Sequence, residues 1–160
     1  MYEVGVIMDV YELLNELKID FQEVEHPAVF TVKEAQLIER QLDGVGCKNL
    51  FLKYKDKYFV YVLRDNKRAD LKELADFLGV NYLKFGKEEE LYELLGLRRG
   101  SVTPLGIIND KDNKVKLVFD KEIENETILC HPNVNTKTIS IKYSDLVMLI
   151  ENQQHSYVVF

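Results

Sequence analysis

Residue types that commonly build disulfide or metal sites are scarce in this sequence. It has no tryptophan, three prolines, three histidines and two cysteines among 160 residues. Cys47 and Cys130 form no CxxC pair, so we expect no disulfide framework. The histidines have no metal-ligand spacing. We therefore predict a protein with no bound metal and no other cofactor.

Long apolar runs and targeting signals are missing as well. No run approaches the ~18 apolar residues of a transmembrane helix, and the N-terminus lacks the basic start and apolar stretch of a signal peptide. The signatures GxSxG, HExxH and Walker A are absent. Residues 44–49 begin like a dinucleotide fingerprint, but no third glycine and no helix follow. We expect a cytoplasmic protein with no membrane partner.

The composition and patterning are those of a globular α+β protein. Hydrophobic residues make up 46% of the chain and charged residues 30%. Helical and alternating apolar patterns predict one domain over residues 1–160, with a mixed, mostly antiparallel β-sheet flanked by helices. The predicted helices cover about 8–18, 31–40, 70–78, 88–95 and 144–151, and the predicted strands 19–24, 47–53, 57–64, 114–119, 127–131 and 137–141.

The net charge of −6 argues at first against a nucleic-acid partner, but the charge is unevenly distributed. Residues 46–72 carry eight basic and three acidic side chains. A local basic patch on an acidic protein can hold a few phosphates, although the same lysines can simply protect a sheet edge. The basic residues that we predict to bind tRNA are Lys53, Lys55, Lys57, Arg64, Lys67 and Arg68.

Residues 99–106 have the composition of an anion-binding loop. Gly100 has no Cβ, so another molecule can approach the backbone and successive N–H groups can point outward together. Pro104 stiffens the exit of the loop. Such preorganised donors suit an oxyanion or a phosphate oxygen. The alternative is an ordinary turn between a helix and a strand.

Two further polar clusters stand out. Lys48 and Asn49 open an otherwise apolar strand, and residues 131–136 place an imidazole, two amides and a hydroxyl on a turn. Cys130 and His131 should point to opposite faces of a strand, so we expect no Cys–His dyad and a core position for Cys130. His131 is equally compatible with a turn histidine that holds a backbone carbonyl.

Four of these segments, in this order, resemble the prolyl-tRNA editing family of aminoacyl-tRNA deacylases, the YbaK-like fold, and especially its free-standing alanine-specific members. They are HPAVFTV (26–32), KNLFL (48–52), GSVTPLGIIND (100–110) and HPNVNT (131–136). The resemblance implies hydrolysis of the ester that joins a wrong amino acid to a tRNA for proline. It also implies tRNA(Pro), and with it prolyl-tRNA synthetase, as a partner.

The resemblance assigns roles to individual residues. Lys48 would meet the terminal nucleotide or its phosphates, the loop from Gly100 to Pro104, with Ser101 and Val102, would cradle the ester carbonyl, and His131 would line the pocket. An aminoacyl ester is already activated, so water can attack it without a protein nucleophile. The other residues implied to contact the substrate are Phe30, Thr31, Asn49, Leu50, Pro104, Asn135 and Thr136.

A pocket too small for proline can still accept alanine, and this would provide selectivity. Candidates for its apolar wall are Val29, Phe30, Leu50 and Ile107, for each of which core packing is the alternative. Two other functions remain open at this point. One is hydrolysis of cysteinyl-tRNA(Pro), and the other is a tRNA- or aminoacyl-binding module without catalysis.

Overall fold

A mixed sheet forms the centre of an α+β fold in the computed structural model, which describes residues 9–28 and 32–160. The strands within these residues are β1 (Gln22–Glu25), β2 (Val45–Tyr54), β3 (Lys57–Arg64), β4 (Lys84–Phe85), β5 (Val115–Phe119), β6 (Thr127–Cys130), β7 (Lys137–Lys142) and β8 (Tyr157–Val159). The helices are α1 (Val10–Glu16), α2 (Val32–Glu39), α3 (Leu71–Leu78), α4 (Glu88–Leu95) and α5 (Tyr143–Asn152), with short 3-10 helices at Pro104–Asn109 and Lys121–Ile123.

The strand order is β1-β7-β6-β2-β3-β5-β8, and β4 pairs with β2 outside this path. Neighbours β1/β7, β7/β6, β2/β3 and β2/β4 are antiparallel, whereas β2/β6, β3/β5 and β5/β8 are parallel. This arrangement confirms the predicted fold class.

One edge of β2 is only partly paired, and this gap positions the candidate site. On the edge away from β3, β6 pairs with Val45 and Gly46, and β4 pairs with Leu52 and Lys53. Between these contacts, residues 47–51 have no strand neighbour on that side within the described part of the chain. Within the described residues, the backbone groups on this edge therefore lack β-ladder partners, except the Phe51 carbonyl, which accepts from the Gly86 N–H.

The helix ends follow the signals in the sequence. The Asp9 and Asp70 carboxylates accept hydrogen bonds from the N–H groups of Tyr11 and Glu73, which caps α1 and α3. α3 ends at Gly79 in the left-handed conformation. These local signals explain why the predicted bounds of the helices hold within a few residues.

The core lies on both faces of the sheet because side chains alternate along each strand. On β3, Val60 and Val62 join the larger cluster beneath α1, α4 and α5, whereas Tyr61 and Leu63 join a smaller cluster beneath α3. In the described ranges, no helix is long and apolar enough to span a bilayer.

Three features differ from the sequence expectations. The first strand occupies Gln22–Glu25 rather than 19–24, because Ile19 is drawn into the core before the strand begins. The apolar residues after the glycine loop form the 3-10 helix Pro104–Asn109. The tail adds β8, a parallel neighbour of β5 that the sequence did not predict.

Candidate functional site

Two adjoining cavities lie along the open edge of β2. The smaller has a volume of about 80 Å³ and the larger about 450 Å³. We call them the small cavity and the large cleft. The small cavity is lined by Ala35, Ile38, Glu39, Cys47, Asn49, Leu129, Cys130, His131 and Thr138. The large cleft is lined by Asn49, Leu50, Phe51, Phe85, Gly86, Glu88, Leu91, Arg99, Gly100 and Val102.

Asn49 belongs to both cavities and marks their junction. Its side-chain Oδ1 is buried and accepts no hydrogen bond from any residue that the structure describes. A buried acceptor without a donor is unfavourable, so this oxygen is suited to a ligand donor. The Phe51 carbonyl accepts a hydrogen bond from the Gly86 N–H on the open edge of β2. By the alternation of the antiparallel ladder, the Asn49 backbone groups point to the same edge.

Lys48 precedes Asn49 on β2 and is half-buried. Strand alternation puts its side chain on the face that Leu50 occupies, opposite to Asn49. Leu50, two residues along the same face, lines the large cleft, whereas Lys48 lines neither cavity. Among the described residues Lys48 has no ion pair and no side-chain hydrogen bond, so its charge is available to a ligand.

The glycine loop closes the large cleft opposite β2. Gly100 has a positive φ of 88°, which favours glycine. The Ser101 N–H and hydroxyl both donate to the Arg98 carbonyl, at 3.1 and 2.8 Å. Ser101 is thus used to close the turn. Within the described part of the chain, the N–H groups of Gly100 and Val102 have no protein acceptor and remain the candidate donors to a substrate oxygen.

The turn after β6 packs against this loop, so the structure brings two of the predicted segments together. A Cβ at Gly100 would lie 4.0 Å from the Asn135 side-chain nitrogen. The Asn133 amide donates to the Leu105 carbonyl at 3.5 Å. Pro104, which precedes Leu105, is buried. Thr136 is exposed and lines neither cavity.

His131 lines the small cavity and also holds a backbone carbonyl. Its Nδ1 is 2.8 Å from the Lys137 carbonyl oxygen, and since a carbonyl only accepts, Nδ1 carries the proton. Burial lowers the pKa of His131 below its ordinary value, and the nearby His26 ring adds to this effect. The imidazole is therefore neutral near pH 7, with Nε2 as a hydrogen-bond acceptor. Both ring nitrogens of His26 are occupied, by the Pro27 carbonyl and the Thr138 hydroxyl.

Glu39 is a site residue that the sequence reasoning missed. Its carboxyl lines the small cavity and lies beside Asp65 over the backbone of Gly46. A Cβ at Gly46 would come within 2.4 Å of Glu39 and 2.5 Å of Asp65, so only glycine leaves room for both carboxyls. Burial raises the pKa of Glu39 to about 7, reinforced by a hydrogen bond with Asp65 and repulsion from it.

The two thiols of the small cavity are poor nucleophiles. Burial raises the pKa of Cys47 and of Cys130 to about 12, so both are protonated at neutral pH. Cys130 is buried in the core, as predicted. The expectation that Cys130 and His131 face apart is wrong: both line the small cavity, because β6 ends at Cys130 and strand alternation stops there.

The predicted tRNA-binding residues fall at the two ends of the β2–β3 hairpin rather than in one patch. Lys53, Lys55 and Lys57 lie near the turn, and Arg64, Lys67 and Arg68 lie at the other end. Carboxylates pair with three of them, in the ion pairs Lys53–Glu90 (2.5 Å), Lys67–Asp120 (2.8 Å) and Arg64–Glu126 (3.7 Å). Of the six, Lys55, Lys57 and Arg68 have no carboxylate partner among the described residues.

The structure describes two of the four residues predicted for the apolar wall, Leu50 and Ile107. Val29, Phe30 and Thr31 lie outside the described residues. Leu50 lines the large cleft, whereas Ile107 is buried in the main core and lines neither cavity. The small cavity takes its apolar surface instead from Ala35 and Ile38 of α2 and from β6. Over residues 9–28 and 32–160, no three His, Cys, Asp or Glu side chains are grouped as a metal site would require.

Comparison with known proteins identifies the family of this chain. Residues 26–149 match the family model of the aminoacyl-tRNA editing domain. The chain is 35% identical over 148 residues to the prolyl-tRNA editing protein ProX of Acetoanaerobium sticklandii, covering 90% of each chain. It is 37% identical over 155 residues to prolyl-tRNA synthetase associated domain-containing protein 1 of Danio rerio, covering 94% of this chain and 84% of that one.

A solved structure described as a candidate trans-editing enzyme for prolyl-tRNA synthetase has the same fold. Its TM-score is 0.72 at 20% sequence identity, and the match covers 93% of this chain and 92% of that one. The arrangement of strands and helices around the two cavities is therefore that of a known fold.

Proposed function

Because the chain belongs to the aminoacyl-tRNA editing domain family, we propose that it is a trans-editing deacylase that hydrolyses mischarged tRNA(Pro), with alanyl-tRNA(Pro) as the preferred substrate. The names of its relatives support a tRNA for proline as the substrate, since they refer to prolyl-tRNA editing and to association with prolyl-tRNA synthetase. We expect it to work in the cytoplasm on the charged tRNA, with the synthetase as a second partner.

The single observation that carries this proposal is the unsatisfied Asn49 oxygen at the junction of a small and a large cavity. An aminoacyl-tRNA end has the same two parts, a small amino acid and a larger nucleoside joined by an ester. With the amino acid in the small cavity, the ester lies beside Asn49, whose amide oxygen can accept the free ribose hydroxyl. The apolar side chains of Ala35 and Ile38 then face the substrate methyl group.

Charged groups around the small cavity fit an amino ester. The substrate ammonium would meet the Glu39 carboxylate, and the neutral His131 Nε2 would accept a hydrogen bond from the ammonium or from the attacking water. The N–H groups of Gly100 and Val102 would stabilise the negative charge that develops on the ester oxygen. Lys48, on the same face of β2 as the cleft-lining Leu50, would hold the phosphates of the acceptor end.

Water is the proposed nucleophile. The Cys47 and Cys130 thiols are protonated at neutral pH, and the Ser101 hydroxyl is held by the Arg98 carbonyl. The ester is already reactive, so orientation and fixed dipoles supply what catalysis needs. Prolyl-tRNA would be spared because its ring does not fit the small cavity.

The proposal is tested by incubating the protein with tRNA(Pro) charged with alanine, cysteine, serine or proline and following the loss of each ester. We expect rapid loss of alanine and retention of proline. Preferential loss of cysteine would assign the substrate differently. Binding of every charged tRNA without loss of any ester would contradict the hydrolytic function.

A further inference from the structure

Phe85 is the most exposed large apolar side chain that the structure describes, at 61%. It lies on the two-residue strand β4, where it pairs with the fully buried Leu52. The ring thus sits on an edge of the sheet and contributes little to the core. Single exposed apolar side chains are common on protein surfaces, so the significance of this ring comes from the large cleft that it lines.

The backbone of β4 holds Phe85 at the mouth of the large cleft. A Cβ at Gly86 would fall 2.2 Å from a ring carbon of Phe51, so the glycine lets the strand lie directly on that ring. The Gly86 N–H also donates to the Phe51 carbonyl at 2.9 Å. Phe51 is buried, and the position of the Phe85 backbone is therefore fixed relative to the cleft floor.

The remaining lining has the chemistry of a nucleotide site. Leu50, Leu91 and Val102 provide apolar walls, and Arg99 and Glu88 are the charged side chains at the cleft. A guanidinium suits a phosphate, and a carboxylate accepts from the exocyclic amino group of adenine. The volume of about 450 Å³ lies in the range of small-molecule sites, whereas the small cavity is too small for a nucleoside.

We propose that the large cleft binds the terminal adenosine of the tRNA acceptor end, with the Phe85 ring stacked on the adenine base. This inference rests on the proposed function, because the nucleoside enters as the carrier of the aminoacyl ester that lies at Asn49. Phe85 then determines affinity for the tRNA end and leaves the chemistry to the groups around the small cavity. Base–aromatic stacking contributes this kind of affinity irrespective of sequence elsewhere in the RNA.

The absence of tryptophan allows a direct binding test. In a Phe85→Trp variant the new indole is the only one, and titration with the trinucleotide CCA should quench its fluorescence. CC dinucleotide should quench it far less. The control is Phe77→Trp, at another exposed aromatic, which packs against Phe160 and does not line the cleft. Equal quenching in both variants, or none in Phe85→Trp, would overturn the stacking site.

Kinetics provide the second measurement. Phe85→Ala should raise KM for alanyl-tRNA(Pro) by about 5- to 150-fold, with kcat changed less than about threefold. Phe85→Tyr should restore KM. An unchanged KM in Phe85→Ala, with active wild-type enzyme, would refute the stacking role while leaving the deacylase proposal intact. Conversely, quenching by CCA in a protein that hydrolyses no charged tRNA would support the nucleoside site and remove the proposed function.

Discussion

Among the described residues, Lys48 is a cation without a carboxylate partner on the strand that lines the candidate site. It shares a face of the sheet with Leu50 of β2 and with its cross-strand partner Leu63 of β3, where no described carboxylate pairs with it. An ammonium without a counter-ion in the protein is available to a ligand that carries negative charge. The phosphates of an acceptor end would supply that charge.

We expect Lys48→Ala to lower kcat/KM for alanyl-tRNA(Pro) by about 100-fold or more, the scale of removing one well-placed electrostatic interaction. Steady-state kinetics provide the measurement, and thermal unfolding should give an unchanged or higher Tm because no ion pair is broken. Lys142→Ala, at an exposed lysine at the start of α5, is the matched control. A Lys48→Ala enzyme with wild-type kinetics would remove this residue from the site.

Glu39 should produce a titration near neutral pH. Its pKa of about 7 lies above the ordinary value for a glutamate, so the carboxyl is neutral below pH 7 and ionised above it. If the ionised form holds the substrate ammonium, kcat/KM rises as the pH increases through 7. In Glu39→Gln the rise should be smaller, and kcat/KM at pH 8 about tenfold lower. Because both enzymes are assayed on the same substrate, the titration of its ammonium group affects both values of kcat/KM equally and cancels in their ratio.

The same titration has a consequence for stability. Between the ordinary pKa of a glutamate and 7, the folded protein keeps a proton on Glu39 that the unfolded chain has lost, so stability falls as pH rises over this window. Glu39→Gln should flatten this part of the curve of unfolding free energy against pH. Glu16→Gln, on the exposed side of α1, should leave it unchanged. If the unfolding free energy of the wild-type protein depended on pH over this window in the same way as that of Glu39→Gln, the raised pKa of Glu39 would be contradicted.

At the scale of elements, α2 forms the wall that sets the size of the small cavity. Ala35, Ile38 and Glu39 have the i, i+3, i+4 spacing of one helix face, and all three line the cavity. Leu37, on the other face, is 54% exposed. One helix therefore supplies both the apolar boundary and the carboxyl group that the proposed substrate would meet.

Shortening this wall should relax selectivity. We expect Ile38→Ala to raise kcat/KM for larger aminoacyl groups on tRNA(Pro), prolyl included, relative to alanyl by about 10- to 200-fold, the range for a few methylenes in an apolar pocket. Deacylation assays with the four charged tRNAs measure the ratio. Leu37→Ala, on the same helix, should keep the wild-type ratio. An unchanged ratio in Ile38→Ala would mean that α2 does not limit substrate size.

Elements with strong local signals were predictable, and those that depend on distant partners were not. Helices α3 and α4 begin and end at capping residues, and the β2–β3 hairpin turns at Lys55 and Asp56 as predicted. Strand β8 has only three residues and exists because β5 offers an edge. The 3-10 helix at Pro104–Asn109 likewise forms where Thr103 caps it inside the core.

The residues of the candidate site also fall into those that the sequence predicted and those that depend on distant partners. Motif residues such as Asn49, Gly100 and His131 were found from the sequence, since each stands out from its neighbours. Glu39 and Phe85 were not, because nothing near them in the chain marks them. Their significance depends on Gly46 and Gly86, which lie against side chains from other elements.

At the scale of the whole molecule, the basic residues are of two kinds that the net charge does not distinguish, those in ion pairs and those without a carboxylate partner in the described chain. Lys53 and Lys67 form ion pairs with Glu90, Asp120 and Glu122, and they hold α4 and the segment after β5 against the sheet. Lys55 and Lys57, by contrast, are exposed at the hairpin turn without a carboxylate partner in the described chain. Only the second kind can neutralise phosphates, and so release the counter-ions bound to the RNA, without breaking an ion pair of the fold.

This difference predicts how salt affects tRNA binding. Replacing Lys55 and Lys57 with Gln should weaken binding of tRNA(Pro) and lower the slope of log K against log salt by almost one for each phosphate that the protein no longer neutralises, with Tm unchanged. Replacing Lys53 and Lys67 should instead lower Tm, because Glu90 and the buried Asp120 lose their cationic partners, and keep the slope near the wild-type value. Binding titrations at several salt concentrations and thermal melts separate the two. Identical slopes in all three proteins would exclude the hairpin turn as a tRNA-binding surface.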